Sequence, residues 1–104
     1  MDAYRIELAQ KAKHDMRDMH AYIANNLKEP MLADKLLDKI EAEILTLKQM
    51  PKKHALERDE QLKQRNLRKL AVENYLVFYA VHDTSKTVYI ARVLYDRRDW
   101  RNLL

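Results

Sequence analysis

The fold is decided by three consecutive pieces of sequence: Tyr75–His82 (YLVFYAVH), the spacer Asp83–Lys86 (DTSK) and Thr87–Tyr95 (TVYIARVLY). Two runs rich in β-branched and aromatic residues around a short polar spacer predict an antiparallel hairpin. Successive side chains alternate between the faces of a strand, and both faces of the first run are largely apolar. Such a strand lies centrally in a sheet, and the second run repeats the pattern until Arg92 interrupts it. We therefore expect the rest of the chain to pack around this hairpin.

The first half of the chain predicts one short strand and two amphipathic helices. Tyr4–Leu8 alternates weakly, which is typical of an edge strand. From about Gln10 to Asn25-Asn26, apolar residues recur at helical spacing. These residues are Ala12, Met16, Met19, Ile23 and Leu27. A second helix is expected from Glu29-Pro30 until Pro51, because proline is tolerated in a first helical turn. Its buried stripe consists of Ala33, Leu36, Leu37, Ile40, Ile44 and Leu47. The short connection makes the two helices an antiparallel hairpin that needs the sheet to cover its apolar stripes.

The remaining segments complete a small sheet. Pro51–Gln64 is a charged connection that carries Lys52, Lys53, His54, Arg58 and Lys63. Arg65–Val72 predicts a strand, and Glu73-Asn74 a tight turn into the hairpin. Arg97–Leu104 is expected to fold back on the core through Trp100, Leu103 and Leu104. The order β-α-α-β-β-β predicts an α+β fold in which an N-terminal helical hairpin packs on one face of a small antiparallel β-sheet, as a single domain over residues 1–104.

Two residue types are missing from the composition. The 104 residues include no cysteine, which excludes disulfides, thiol nucleophiles and cysteine-ligated metal. They include no glycine either, which argues against phosphate-binding loops of the Walker and dinucleotide types, where the backbone must approach the ligand closely. Turns with positive φ must then use Asn or Asp, and Asn25-Asn26, Asn74 and Asp83 are placed to do so. We expect no cofactor and no metal, since the spacing of His14, His20 and His54 does not suggest metal ligands.

The charge is distributed unevenly along the chain. Residues 1–50 contain 8 Lys/Arg and 9 Asp/Glu, whereas residues 51–104 contain 12 and 7, so the two halves carry net charges of −1 and +5. A surface that faces phosphate would produce this asymmetry, although many proteins are mildly basic without binding nucleic acid. The sequence shows neither an apolar stretch of membrane-spanning length nor a signal-like N-terminus, so a cytoplasmic location without a membrane partner is expected.

Two segments of the second half, Asn74–Val81 and Val88–Asp99, resemble the C-terminal half of the RelE/ParE superfamily of toxins from type II toxin-antitoxin modules. The similarity is carried by an Asn-Tyr-hydrophobic-Phe-Tyr segment and by the Val-Leu-Tyr-x-Arg-Arg-Asp ending. Members of the superfamily usually have Gly before the Arg-Arg pair, where this chain has Asp96. The resemblance implies the same α+β fold and two alternative activities, because ribosome-dependent mRNA endonucleases and inhibitors of DNA gyrase share this fold without sharing an active site.

Cleavage of RNA without a metal requires a proton acceptor, a proton donor and cations that stabilise the charge developing on phosphorus. By resemblance, the candidates for catalysis are Arg68, His82 and Arg97. The candidates for contacts with RNA or another target are Arg65, Lys69, Tyr95 and Arg98. Among these residue types, histidine alone has an ordinary pKa near neutrality.

Each candidate also has a structural explanation. A histidine at a strand end is often simply solvated, and Asp96 and Asp99 lie close enough in sequence for surface ion pairs with Arg97 and Arg98. The cations of the strand that begins at Arg65 could serve only to protect a sheet edge from pairing with another chain.

The resemblance predicts a toxin that inhibits growth. The basic second half and His82 favour mRNA cleavage, with the ribosome and mRNA as partners. Two alternatives remain: a ParE-like inhibitor with DNA gyrase as its partner, which the Arg97-Arg98-Asp99 ending resembles more closely, and a non-catalytic binding module or co-repressor. Either toxin subtype implies a cognate antitoxin that wraps around the toxin.

Overall fold

The structure, a computed structural model, describes residues 3–54 and 60–104. The elements in chain order are β1 (Arg5–Leu8), α1 (Gln10–Ala21), a π-helical turn (Tyr22–Asn26), α2 (Pro30–Thr46), α3 (Glu60–Gln64), β2 (Leu67–Val72), β3 (Tyr75–His82), β4 (Thr87–Tyr95) and a 3₁₀ turn (Trp100–Asn102). This order confirms the predicted α+β fold. The predicted connection at 51–64 ends in the short helix α3, and Arg58 lies outside the described residues.

The four strands form one sheet in the order β1-β4-β3-β2. The pairs β2–β3 and β3–β4 are antiparallel, as predicted, and Glu73-Asn74 is the two-residue turn between β2 and β3. The pair β1–β4 is parallel, so the sheet is mixed and not antiparallel throughout. β1 and β4 are not consecutive in the chain; the helices, β2 and β3 lie between them, which leaves enough chain for the two strands to run in the same direction.

A β-bulge interrupts the pairing of the two central strands. Phe78 pairs with Arg92 while Tyr79 pairs with Ile90, so Ala91 is an extra residue in β4. An extra residue reverses the alternation of all side chains that follow it. The predicted pattern of the second run therefore already changes at Ala91, one residue before Arg92.

The bulge lets β4 contribute to the core on both faces of the sheet. Tyr79, Val88, Ile90 and Val93 belong to the core under the helices, together with the predicted apolar stripes of α1 and α2. The opposite face carries a second, smaller core of Leu67, Phe78, Ala91 and Leu94. Trp100, Leu103 and Leu104 pack on it, which confirms that the C-terminal segment folds back.

Leu27 is the exception among the predicted stripe residues, because its side chain is 51% exposed. It follows the π-helical turn, in which the Leu27 N–H donates to the Tyr22 carbonyl five residues earlier. A π-turn holds one residue more than an α-turn, which rotates the following side chain out of the stripe. Tyr22, at the start of the turn, is 53% exposed.

The positive-φ positions differ from those that the sequence predicted. They are Lys28, Asn66, Glu73 and Lys86, with φ between 51° and 57°. The predicted turn segments are close, but Asn25-Asn26, Asn74 and Asp83 do not take this conformation, because strand register and helix ends decide which residue must adopt it. Asp83 instead accepts hydrogen bonds from the Tyr4 hydroxyl (2.8 Å) and the Lys52 ammonium (2.7 Å), which lower the pKa of its carboxyl group.

One ion pair links the layers. The Arg92 Nε and Nη2 atoms donate to the two Asp15 carboxylate oxygens at 2.7 and 2.8 Å, and the Arg92 Nη1 atom donates to the Leu103 carbonyl at 2.6 Å. The side chains are only 14% and 10% exposed. Arg92 therefore ties β4 to α1 and to the C-terminal segment.

We predict that Asp15→Ala lowers the free energy of unfolding by about 3 kcal/mol, because it leaves the Arg92 guanidinium largely buried without its counter-charge. Urea denaturation followed by circular dichroism measures this. Asp38→Ala, an exposed aspartate on α2, is the matched control and should change stability by less than about 0.5 kcal/mol. Equal effects of the two substitutions would contradict a special role for Asp15.

We also predict that Lys28→Gly stabilises the fold by about 1 kcal/mol, since glycine adopts the positive φ of this exposed position without a Cβ clash. The same denaturation experiment measures the gain. Lys35→Gly, at an exposed helical position of α2, should instead destabilise by about 1 kcal/mol. A loss of stability in Lys28→Gly would show that its φ angle is not strained.

Candidate functional site

The second sheet face carries three cations that contact the C-terminal segment. The Arg65 Nη1 atom donates to the Leu104 carbonyl at 2.9 Å, and Arg92 donates to Leu103 as described above. The Lys69 ammonium lies 5.5 Å from the centroid of the Trp100 ring, and this ring packs 5.1 Å from that of Phe78. We call Arg65, Lys69 and Arg92 the basic face. The C-terminal segment covers it and accepts hydrogen bonds from Arg65 and Arg92.

The structure separates two of the three candidate catalytic residues. His82 pairs with Thr87 at one end of the β3–β4 hairpin, whereas Tyr75 pairs with Tyr95 at the other end. Arg97 follows Tyr95 after one intervening residue, Asp96. The eight residues of β3 span about 24 Å at the usual rise per residue. His82 is exposed, and its ring lies 6.4 Å from that of Tyr89.

The third candidate, Arg68, lies on the helix-facing side of the sheet. It pairs with the fully buried Tyr79, and its Nη1 atom donates to the His54 carbonyl at 2.6 Å. His82 lies on the opposite face, because it alternates in phase with Phe78. Arg68 thus positions the segment after α2 and does not share a surface with His82.

A small polar cluster surrounds Arg68. The Tyr79 hydroxyl and the His54 Nε2 atom are both buried without a hydrogen-bond partner in the described structure. Burial raises the pKa of Tyr79, and burial together with Lys53 lowers the pKa of His54 below its ordinary value of 6.5.

Tyr95 and Arg98, the remaining candidates, lie at the end of the sheet near the π-helical turn. The Tyr95 and Tyr75 rings meet edge to face at 5.5 Å, and the Arg98 N–H donates to the Tyr95 carbonyl at 3.1 Å. Both residues line a cavity of about 560 Å³. Its other lining residues are Asp15, Asp18, Met19, Tyr22, Leu27, Tyr75 and Val93.

The sequence interpretation missed a larger groove of about 760 Å³ between α1, α2 and β1. Its walls are mostly apolar, with Lys13, Arg17 and His20 on the α1 side and Glu41 on the α2 side. The sequence feature that could have indicated this groove is the pair Ala21 and Ala24, whose small side chains line it. A mostly apolar groove with a charged rim suits binding of a peptide segment better than catalysis.

Residues 3–54 and 60–104 contain neither a metal-binding cluster nor a membrane-spanning helix. Within these ranges, no three His, Asp or Glu side chains come together in a way that could hold a metal ion. In the same part of the chain, no helix has the length and apolar character needed to span a membrane.

Comparison with known proteins identifies the family. The sequence model of the family described as "ParE toxin of type II toxin-antitoxin system, parDE" matches residues 6–100. The chain belongs to this ParE toxin family. The predicted RelE/ParE superfamily membership and the role as toxin of a type II toxin-antitoxin system are thereby confirmed. A comparison with curated proteins found no match.

Solved structures of toxins share the fold of this ParE family member. The chromosomal ParDE toxin-antitoxin system from P. aeruginosa has a TM-score of 0.73 and 20% identity, covering 89% of this chain and 96% of that chain. The toxin-antitoxin complex RelBE2 from Mycobacterium tuberculosis matches with a TM-score of 0.64 and 19% identity, and the match covers 91% of this chain and 93% of that chain. A mutant of the E. coli toxin RelE in the free state matches with a TM-score of 0.68 and 13% identity, and the match covers 97% of this chain and 92% of that chain.

We predict that the protein loses stability as the pH falls from about 7.5 to about 5.5, in part because of His54. The folded state lowers the pKa of His54, so the unfolded state binds the proton more readily below the ordinary value of 6.5. Stability from this group is present above 6.5 and is lost as the pH falls through the lower folded pKa. Melting temperatures across this range measure the effect.

His54→Gln should flatten this pH dependence, whereas His14→Gln, on the exposed surface of α1, should leave it unchanged. An identical pH profile for His54→Gln and the unmodified protein would contradict the assignment.

Proposed function

We propose that this ParE family toxin inhibits growth by binding DNA gyrase in the cytoplasm, and that it does not cleave mRNA. A cognate antitoxin is its second partner. This differs from the preference for mRNA cleavage that the sequence suggested, and it rests on the arrangement of the candidate residues.

The observation that carries the proposal is the separation of His82 from Arg97 by the length of the hairpin. General acid-base catalysis needs its groups within hydrogen-bond reach of one reacting phosphate. Groups about 24 Å apart cannot meet that condition, and Arg68 lies on the other face of the sheet from His82. A toxin that acts by binding needs no such convergence.

The charges near the C-terminus agree with a binding role. Arg97 and Arg98 are exposed in the turn after β4, between Asp96 and Asp99. Carboxylates beside these cations weaken the local attraction for a phosphate, whereas mixed charge is common at the rim of protein interfaces.

The antitoxin as a partner is supported by the surfaces that the toxin exposes. Solved relatives include ParDE and RelBE toxin-antitoxin systems. In this chain the apolar groove between α1, α2 and β1 offers space for an apolar segment of such a partner.

One observation favours mRNA cleavage as the second candidate function. The basic face gathers Arg65, Lys69 and Arg92 beside the aromatic rings of Phe78 and Trp100. Cations together with aromatic side chains are what single-stranded RNA binds. The C-terminal segment would have to leave this face before RNA could reach it.

The test adds the purified chain to a DNA supercoiling reaction with gyrase and, separately, to ribosomes translating a defined mRNA. We expect loss of supercoiling with intact mRNA. The variant His82→Ala, at an exposed strand end, should inhibit gyrase as well as the unmodified chain does. Arg68 is left unchanged because it supports the fold.

New mRNA ends that depend on His82 or Arg97 would replace the proposal by the endonuclease function. Activity in neither reaction, together with normal growth on expression, would instead indicate a non-catalytic binding module or co-repressor.

A further inference from the structure

The segment that follows α2, residues 49–54, is held on the fold by polar contacts. In the described structure, none of its side chains belongs to either of the two cores. The Arg68 Nη1 atom donates to the His54 carbonyl at 2.6 Å. The Lys52 ammonium donates to Asp83 at 2.7 Å. A segment with so few buried apolar contacts can open locally while the rest of the fold stays intact.

His54 is the one residue of this segment whose charge changes near neutral pH. Its Nε2 atom is buried and has no hydrogen-bond partner within residues 3–54 and 60–104. A neutral imidazole can leave one ring nitrogen without a proton, whereas an imidazolium carries an N–H on both. Burying a charged donor without an acceptor costs much more than burying a neutral nitrogen. The docked position of the segment therefore suits the neutral form of His54.

The charged and titratable groups around His54 come from its own segment and from α2, β2 and β3. They are Lys53, Glu43, Arg68 and Tyr79. Burial, and after it the charge of Lys53, lowers the pKa of His54, and Glu43 opposes this decrease. Burial also raises the pKa of Tyr79, so its hydroxyl stays neutral and supplies no counter-charge. The surroundings of His54 thus oppose its protonation.

We propose that residues 49–54 form a pH-sensitive latch, which docks against Arg68 and Tyr79 while His54 is neutral and detaches when His54 binds a proton. The docked state lowers the pKa of His54, so the detached state binds the proton more readily. Docking is fully favoured above the ordinary value of 6.5 and weakens as the pH falls through the lower docked pKa. Detachment exposes Arg68 and the Tyr79 hydroxyl to solvent.

Hydrogen exchange of the purified chain, followed by mass spectrometry from about pH 7.5 to about pH 5.0, tests this latch. Each rate is corrected for the intrinsic exchange rate at that pH. The reporters are the N–H groups of Met50 and Lys53, which donate to the Thr46 and Met50 carbonyls. We expect their opening to increase by up to about tenfold per pH unit, the limit for the uptake of one proton. The strands β3 and β4 should keep their protection.

Two pairs of variants link the opening to His54. His54→Gln should show no pH-dependent opening, whereas its matched control His14→Gln, on the exposed surface of α1, should open like the unmodified chain. Glu43→Gln removes the carboxylate that raises the pKa of His54 and should move the opening to lower pH. Its matched control is Glu41→Gln, at an exposed position two residues earlier, which should leave the opening unchanged. Circular dichroism confirms that each variant is folded.

Three results would overturn the proposal. The first is protection of Met50 and Lys53 that does not depend on pH. The second is an equal increase of exchange in β3, because the whole fold would then be opening and not the segment alone. The third is a pH-dependent opening of the segment that persists in His54→Gln.

Discussion

The largely buried ion pair between Arg92 and Asp15 is the interaction on which the arrangement of the layers depends. The guanidinium group has three acceptors, two on α1 and one in the C-terminal segment. Asp15 can reach it because β1 ends at Leu8 and leaves the neighbouring edge of β4 uncovered, and the same carboxylate also binds the Val93 N–H. A guanidinium group with so little exposure to solvent is tolerated only when acceptors such as these satisfy its N–H groups. One side chain therefore sets the positions of α1, the β4 edge and the segment that covers the basic face.

The bulge at Ala91 explains why some of the fold could be predicted and some could not. The helices could be predicted because their apolar residues recur at helical spacing, and Ala12, Met16 and Met19 are all buried in the core. The residues up to and including the bulge, Val88–Ala91, are all apolar or aromatic, so a change of phase there leaves no trace in the hydrophobic pattern. Only the pairing with β3 shows that Val93 rejoins the helix-facing core. Leu27 is a similar case. The helical period assigned it to the buried stripe, and the π-turn moved its side chain out of that stripe.

The arrangement of the candidate site residues was harder to predict from the sequence than the fold. Residue types pointed to Arg68, His82 and Arg97, and the hairpin alone implies that the last two lie at opposite ends. The face on which Arg68 lies depends on the register between β2 and β3, which the turn Glu73-Asn74 fixes. The contacts of Arg65 and Lys69 with the C-terminal segment could not be predicted, because they join positions about 30 to 40 residues apart that no local pattern relates.

Both faces of the sheet are used for folding, and the surfaces left for binding lie at the helices and at the end of the sheet. The second face is covered by the chain's own Trp100, Leu103 and Leu104, so its apolar residues are already used for folding. The helical groove and the cavity beside Tyr95 are not filled by side chains of the described residues. Exposed apolar surface favours association and aggregation, and a small protein keeps it chiefly where a partner covers it. A toxin that must bind both an antitoxin and a target needs surfaces of this kind outside its core, and substitutions there should alter binding without unfolding the chain.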